Sequence, residues 1–296
     1  MNPLIFGVLL APPCGGYTCE PPANLFSTWG FIGDHWVYKI GGGEKPSGSS
    51  NCPEGDMIEI KGGMVQNLDA NPYGEGAVEY LQKRTCTKWI NKNFPERCAE
   101  FDQANWEWMR NSIVNAVPRK NMHFCIDPYE WPNRIGEAPW IMVTWHEAQD
   151  LCESKGKRLC TENEWTFACE GEDALPYPYG YKRDSMKCNI DRPWKLYDAA
   201  AMLPRGTEKC GKEMERLWQG HASGEDAQCV SPFGVHDMTG NIDEWTVASS
   251  PSKYPSILKG GYWGPVRTRC RPSTRNHRPD HTFYQQGFRC CADVKQ

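Results

Sequence analysis

Fifteen cysteines in a chain of 296 residues constrain the fold of this sequence more than any other feature. A count this high is typical of a disulfide framework built in an oxidising compartment, or else of metal sites. No two cysteines are separated by two residues, the spacing of zinc ribbons, so the disulfide interpretation is favoured. Because the count is odd, at least one cysteine has to stay unpaired, be modified, or bond to another chain.

Residues 1–50 are expected to form an N-terminal arm or export segment that ends in a Gly- and Ser-containing linker. The apolar run at residues 4–11 is too short to span a membrane and lacks the basic start of a signal peptide. Cys14 has two interpretations: the lipid-anchor cysteine of an export signal, or part of an ordered arm. A membrane contact is expected only through such an anchor.

The overall charge argues against a nucleic-acid partner. The net charge is −4, the sequence pI is about 6.0, and no basic stretch is interleaved with aromatic residues. Hydrophobic residues make up 39% of the chain, enough for a substantial core.

Residues 76–116 are dense in helix formers and are interpreted as a helical insertion in a domain at residues 51–296, with a small separate subdomain as the alternative. Pro95 divides the segment into about two helices. Cys86 and Cys98 flank that break, and their separation suits a disulfide across a helical hairpin.

Two capping signals predict consecutive helices after this insertion. Thr144 precedes Glu147 by three residues, and Thr161 precedes Glu164 in the same way. The first helix is expected to run to Lys155, and the second to end near residue 171. Short strands and turns follow, which indicates an α+β domain with little regular secondary structure.

Four segments in the second half carry a family resemblance. They are VTWHEAQDLCESKGKRLCTENEWTFACEG (143–171), FGVHDMTGNIDEWT (233–246), LKGGYW (258–263) and RCRPSTRN to GFRCCAD (269–293). In this order they resemble the sulfatase-modifying-factor family, whose best-known member is the formylglycine-generating enzyme. The resemblance spans roughly residues 123–293. It implies an elaborated C-type-lectin-like fold of the formylglycine-generating-enzyme type.

The resemblance implies two disulfides. Cys152 occupies the position that pairs with Cys290, and Cys169 matches the partner of Cys270. Each bridge would close a loop of about 100 residues or more, worth roughly 4–5 kcal/mol in the chain-entropy model. No partner is assigned to Cys160, Cys188, Cys210, Cys229 or Cys291.

The resemblance also implies a calcium site in the segment from Asp237 to Trp245. The ligands would be the side chains of Asp237 and Glu244 with the carbonyl oxygens of Gly240 and Ile242, an oxygen set that Ca²⁺ prefers. Asp243 stands where the family usually has an aromatic residue and adds a nearby carboxylate. The alternative is a turn whose acids cap backbone N–H groups.

A second calcium site of the family uses an Asn-Ile pair, matched here by Asn189 and Ile190. Asp191 follows directly, and Asp226 is a candidate ligand from a downstream loop. One or two structural calcium ions are therefore expected.

The copper site of the family's oxidases is missing from this sequence. Those enzymes hold copper with two cysteines four residues apart, between a Gly-Gly turn and the next Arg-Cys, and soft thiolates suit Cu(I). Residues 260–269 contain no cysteine, and Cys270 aligns with the structural one. Copper and formylglycine-generating activity are therefore not expected. His277 and His281 could hold another redox metal, but Pro279 between them indicates a loop, and two cleft-lining histidines are the favoured interpretation.

The loops between GGYW and GFR are expected to line a shallow groove that binds a protein, peptide or carbohydrate ligand, because guanidinium forks, amides and aromatic rings recognise such ligands. In the alternative, Trp263 and Phe283 lie in the core and the arginines are internal hydrogen-bond donors. The predicted groove residues are Trp263, Arg267, Arg275, Asn276, His277, Phe283 and Tyr284.

These features together predict an exported protein, periplasmic, cell-surface or extracellular, that is stabilised by calcium and catalytically silent. Its predicted role is that of a binding or structural module. The alternatives are a metal-dependent oxidoreductase with a site other than copper-thiolate, and a subunit of an extracellular assembly that docks through residues 1–50.

Overall fold

The computed structural model describes residues 29–32, 35–38, 43–66, 76–90, 97–114 and 116–295. The predictions for Cys14, for the run at residues 4–11 and for the helix break at Pro95 concern residues outside these ranges. Within the described ranges, no helix has the length and apolar character needed to cross a membrane.

Short strands and short helices alternate along the described chain, and the longest helix has ten residues. This is an α+β architecture with little regular secondary structure, as the sequence predicted. In chain order the strands are β1 (Trp29–Ile32), β2 (His35–Tyr38), β3 (Ile58–Val65), β4 (Cys86–Trp89), β5 (Cys98–Phe101), β6 (Arg119–Ile126), β7 (Arg158–Leu159), β8 (Asp243–Val247), β9 (Ser256–Lys259), β10 (Ser273–Thr274), β11 (Gln286–Phe288) and β12 (Cys290–Ala292). The helices are α1 (Ala77–Thr85), α2 (Gln103–Met109), α3 (Trp145–Glu153), α4 (Glu162–Glu170), α5 (Ala199–Met202) and α6 (Glu208–Leu217).

One four-stranded sheet has the order β3-β6-β12-β7, with all neighbours antiparallel. Strands β3 and β6 pair over their full length, from Ile58 opposite Ile126 to Val65 opposite Arg119. Alternate side chains of a strand point to one face, and here Ile60, Phe124 and Ile126 are buried against α4.

The second four-stranded sheet has the order β10-β9-β8-β11. Strand β11 runs parallel to β8, with Gln286 opposite Asp243 and Phe288 opposite Trp245. This pairing places the C-terminal GFR segment beside the segment that the resemblance assigns to calcium. Strand β10 is the edge strand and pairs antiparallel with β9.

Both predicted capping boxes are confirmed. The Thr144 hydroxyl accepts a hydrogen bond from the Glu147 N–H at 3.1 Å, and the Glu147 carboxylate accepts one from the Thr144 N–H at 2.7 Å. Thr161 and Glu164 make the same reciprocal pair at the start of α4. The structure ends α3 at Glu153, two residues before the predicted end, and α4 at Glu170.

The insertion at residues 76–116 differs from its predicted form. Helix α1 is followed by a two-stranded antiparallel ladder of β4 and β5, and only then by α2. The Cys86–Cys98 disulfide therefore staples a strand pair rather than a helical hairpin. Val78, Leu81 and Trp106 share one buried cluster with residues of the main domain, so the insertion packs on that domain.

Six disulfides cross-link the described residues, which contain thirteen of the fifteen cysteines. Cys210 lies buried in α6, with its thiol 3.5 Å from the Met202 carbonyl oxygen. A framework of this density indicates folding in an oxidising compartment. The bridges are Cys52–Cys125, Cys86–Cys98, Cys152–Cys290, Cys160–Cys291, Cys169–Cys270 and Cys188–Cys229.

Two of these bridges, Cys152–Cys290 and Cys169–Cys270, are those that the resemblance implies. The partner of Cys160 is Cys291, and the two bridges that end at the adjacent cysteines of β12 tie this strand to α3 and to the residue that follows β7.

Candidate functional site

The segment from Asp237 to Glu244 forms a tight turn that packs against residues 189–190. Asp237, Gly240 and Asn241 have positive φ angles of 58°, 88° and 52°. A side chain at Gly240 would meet the Asn189 carbonyl oxygen at 2.4 Å, so only glycine permits this approach.

Glu244 lies at the centre of a buried ion pair. Its two carboxylate oxygens accept hydrogen bonds from the Arg289 guanidinium at 2.7 and 2.8 Å, and Oε2 also accepts one from the Trp165 indole at 2.9 Å. A carboxylate has about four acceptor sites, so three hydrogen bonds leave Glu244 with capacity for one more contact.

Sequence reasoning missed Glu130, which lies in the same buried cluster. Its carboxylate accepts hydrogen bonds from the Asn241 amide at 2.8 Å and the Ser223 hydroxyl at 3.2 Å. Burial, followed by the charges of Asp237 and Glu244, raises the pKa of Glu130 well above its usual value. No motif in the sequence marks Glu130.

The charges of this cluster fit one calcium ion. Burial raises the pKa of Asp237 to about 7, and the Arg289 guanidinium opposes this shift. The same guanidinium also lies in the field of the Glu244 and Glu130 carboxylates, so the cluster holds more acids than the one arginine can balance. A divalent cation would balance the excess negative charge. Within the described ranges, no three His, Cys, Asp or Glu side chains are arranged to hold a metal by themselves. An ion at this turn would therefore need the carbonyl oxygens of Gly240 and Ile242.

The side chains proposed for a second ion have protein partners. The Asn189 amide oxygen accepts a hydrogen bond from Arg192 at 2.8 Å. Asp191 forms a bidentate pair with Arg183, and Asp226 contacts the His221 imidazole at 2.9 Å.

In this arrangement the residues around Asn189 and Ile190 do not fit a second calcium ion. All three of these side chains are already engaged by basic groups, whereas Glu244 of the first site keeps one acceptor position.

A cavity of about 1260 Å³ lies along the stretch from Arg267 to Arg275. It is bounded on one side by the start of α4 and on the other by the loop that precedes β11. Of the predicted groove residues, Arg267, Arg275, His277 and Phe283 line it.

The remaining three groove predictions are corrected by the structure. Trp263 and Tyr284 are buried, with ring centroids 5.9 Å apart, in a core cluster that includes Met214 and Leu217 of α6. Asn276 is exposed and lies outside the cavity. The core alternative thus holds for Trp263, which α6 covers, and in part for Phe283, which is half-buried against the same cluster and also lines the cavity.

Every fourth residue of the stretch from 267 to 275 is an arginine that forms an ion pair with a buried acid. Arg267 contacts both carboxylate oxygens of Asp243 at 2.9 Å, and Arg271 makes a bidentate pair with Glu170. Arg275 pairs with Glu162 at 2.6 and 2.7 Å. The carboxylate of Asp243 therefore belongs to the cavity, rather than to the calcium turn where the sequence placed it. The regular spacing of these arginines, four residues apart and therefore on one face of an extended chain, was the available signal.

Lys259 lies fully buried beneath the same stretch and was not predicted as a site residue. Its ammonium donates to the Arg271 carbonyl oxygen at 2.8 Å and to the Ser273 hydroxyl at 3.3 Å. Burial lowers the pKa of Lys259 to about 7, opposed by the charge of Glu162.

The imidazoles of His277 and His281 stack in the cavity with centroids 4.2 Å apart. Burial, with the neighbouring His281 and Arg267, lowers the pKa of His277. The Nδ1 of His281 lies 3.0 Å from the side-chain oxygen of Gln286. Both histidines are in a loop, as the intervening proline predicted.

The part of the cavity wall contributed by residues 260–269 contains Tyr262, Val266, Arg267 and Arg269. None of the described residues that line the cavity is a cysteine. Cys270, which follows this segment, is bonded to Cys169.

Comparison with known families identifies the architecture. A family model described as the sulfatase-modifying factor enzyme 1-like domain matches residues 48–294. The chain belongs to this family. Its α+β fold is accordingly the formylglycine-generating-enzyme type, an elaborated C-type-lectin-like fold.

Relatives with contrasting names share this domain. The chain is 29% identical over 277 residues to the inactive C-alpha-formylglycine-generating enzyme 2 of Bos taurus, covering 80% of this chain and 88% of that protein. It is 28% identical over 167 residues to the Mus musculus protein of the same name, covering 53% and 50%. It is 27% identical over 192 residues to the formylglycine-generating enzyme of Thermomonospora curvata, covering 52% and 55%.

Among solved structures, PvdO from Pseudomonas aeruginosa aligns with a TM-score of 0.43 at 15% identity, covering 83% of this chain and 96% of that one.

Proposed function

We propose that this protein is an exported, calcium-stabilised member of the family that has no oxidase activity and binds a ligand in the cavity along residues 267–275. The observation that carries the proposal is the composition of the cavity wall. Where the family's oxidases place two copper-binding thiolates, this chain places Arg267 and its neighbours, and soft-metal chemistry needs the thiolates.

The relatives named inactive support the absence of activity, since one of them aligns over most of both chains. The six disulfides support export, because such frameworks persist in oxidising compartments outside the cytosol. The periplasm, the cell surface and the extracellular space all meet this condition.

The proposed calcium ion has a structural role. The turn at Asp237 has little regular secondary structure; it leads into the start of β8 and is hydrogen-bonded to the loop at Asn189. An ion bound by Asp237, Glu244 and the carbonyl oxygens of Gly240 and Ile242 would stabilise this turn, and ligand binding to the native state alone raises stability.

A second candidate function rests on the stacked imidazoles of His277 and His281 in the cavity. Imidazole nitrogens are ligands for iron and copper, so this pair is the place where a different redox metal would bind.

The experiment is an oxidation assay with the disulfide-intact protein. The protein is incubated in air with copper and then with iron, together with a cysteine-containing peptide of the sulfatase type, and aldehyde is measured by hydrazine capture and mass spectrometry. We expect no aldehyde above a protein-free control, with an active formylglycine-generating enzyme as the positive control.

Turnover by the wild type would contradict the proposal. If that turnover were lost in His277→Ala and retained in His146→Ala, whose exposed imidazole lies on α3 away from the cavity, the redox alternative would replace it.

A further inference from the structure

The cavity retains hydrogen-bond donors that no described residue satisfies. Arg275 uses one nitrogen, Nη2, for its pair with Glu162, and its side chain is 42% exposed. Neither Nε nor Nη1 of Arg275 has a partner in the described part of the chain. Arg267 likewise uses Nε and Nη2 for Thr274 and Asp243, while its Nη1 is buried and has no partner there.

The acids beside these arginines are already engaged. Glu162 accepts hydrogen bonds from Arg275 and from the Ser273 hydroxyl at 2.6 Å, and Asp243 has both oxygens on Arg267. Over the whole cavity, six Lys or Arg side chains face three carboxylates. The remaining donors therefore match a ligand that carries negative charge.

Aromatic rings form the opposite wall. His277 stacks on His281, whose ring centroid lies 6.3 Å from that of Phe283. Phe283 meets Tyr197 edge-on at 4.9 Å. These rings line the cavity together with the guanidinium groups, which suits a ligand with partly apolar surfaces and charged substituents.

The volume of the cavity and the length of its edge strand β10 argue against a small molecule and against a peptide that adds a strand. At about 1260 Å³ it exceeds the ~300–1,000 Å³ that typical small-molecule pockets occupy, so a chain-like ligand fits better. A peptide that adds a strand needs a long exposed sheet edge, but β10 contributes two residues, Ser273 and Thr274.

We propose that this cavity binds an acidic oligosaccharide, with a carboxylate on Arg275 and a sugar ring against His277 and Phe283. The inference rests on the proposed binding function and names its ligand class.

The test is calorimetric titration of the full, disulfide-intact chain with a hyaluronan hexasaccharide, and with the same hexasaccharide after its carboxylates are reduced to alcohols. We expect binding of the acidic form and at least tenfold weaker binding of the reduced form, since a charge-assisted hydrogen bond contributes about that factor or more. Binding of both forms with equal affinity would overturn the proposal.

Three variants locate the site. Arg275→Gln is expected to weaken binding of the acidic hexasaccharide about tenfold or more. Arg278→Gln removes the same charge three residues away, from a side chain that is 71% exposed and outside the cavity, and is expected to bind like the wild type. Arg275→Lys keeps the positive charge but loses the planar, multiple-donor geometry of the guanidinium, and an intermediate affinity is expected. Equal affinity of Arg275→Gln and the wild type would overturn the proposal, and thermal melts confirm that each variant is folded.

A capped acidic hexapeptide with the same number of carboxylates distinguishes the ligand class. If it binds as tightly as the hexasaccharide and depends on Arg275 in the same way, the oligosaccharide assignment is wrong while the proposed binding function stands. If neither acidic probe binds, the oligosaccharide assignment is again overturned. The proposed function as a whole fails on a different result, namely aldehyde formation in the oxidation assay.

Discussion

Replacement of Arg289 by methionine tests the buried ion pair with Glu244, at the turn for which calcium is proposed. Arg289 and Glu244 have side chains that are 0% and 1% exposed. Besides Glu244, the guanidinium donates to the carbonyl oxygens of Asp127, Pro128 and His236. Removing one partner of such a pair typically costs about 3–5 kcal/mol, because the other charge stays buried without compensation. We expect Arg289→Met to lower the free energy of unfolding by that amount, measured by urea unfolding with the disulfides intact.

Two further variants show whether the lost charge is the cause. The double variant Arg289→Met/Glu244→Gln has no unpaired buried carboxylate, so we expect it to recover part of the lost free energy of unfolding. In Arg278→Met the lost partner is Asp280 at the surface, and a change of about 0–1 kcal/mol is expected. A loss below about 1 kcal/mol in Arg289→Met, or a double variant less stable than the single one, would refute the reasoning.

Three other predictions concern stability. Burial raises the pKa of Asp127 to about 6, so the folded protein holds this proton more tightly than the unfolded chain does. The resulting contribution to the free energy of unfolding is complete below pH ~4 and is lost as the pH rises through 6. Relative to Asp127→Asn, the wild type should therefore lose up to about 3 kcal/mol of unfolding free energy between pH 4 and pH 7; equal pH profiles would rule this out. The double variant Cys160→Ala/Cys291→Ala removes a bridge of sequence separation 131, and its effect on the free energy of unfolding is measured in urea. We expect a loss of about 3 kcal/mol rather than the about 5 kcal/mol of an isolated loop of that length, because the Cys152–Cys290 bridge already closes nearly the same loop. Trp263→Ala should cost about 3–5 kcal/mol and Phe283→Ala clearly less, and equal losses would place both rings in the core.

Local chemistry explains which parts of the fold were predictable. Each capping box, at Thr144 and at Thr161, is formed by two residues three positions apart, so it can be predicted from the sequence without tertiary information. The histidine loop was equally local, because Pro279 is incompatible with a helix interior.

Non-local packing explains what was missed. Residues 76–116 contain good helix formers, but the Cys86–Cys98 bridge and pairing with β5 turn the residues after Thr85 into a strand. Tertiary pairing overrides a modest helix propensity.

The candidate site shows the same limit. The sequence leaves Trp263 open as either a groove residue or a core residue, because its burial depends on α6, a helix about fifty residues earlier in the chain. Glu130 contacts the turn at Asp237 through the Asn241 amide, although it lies more than a hundred positions earlier in the sequence. Neither contact leaves a spacing in the sequence that could be recognised.

The metal content of the natively purified protein tests the central claim most directly. Inductively coupled plasma mass spectrometry, before any chelator or added salt, should find about one calcium per chain and negligible copper and iron, because the turn at Asp237 fits one calcium and the cavity lacks the thiolate pair. One copper or iron per chain would contradict the account of a catalytically silent scaffold.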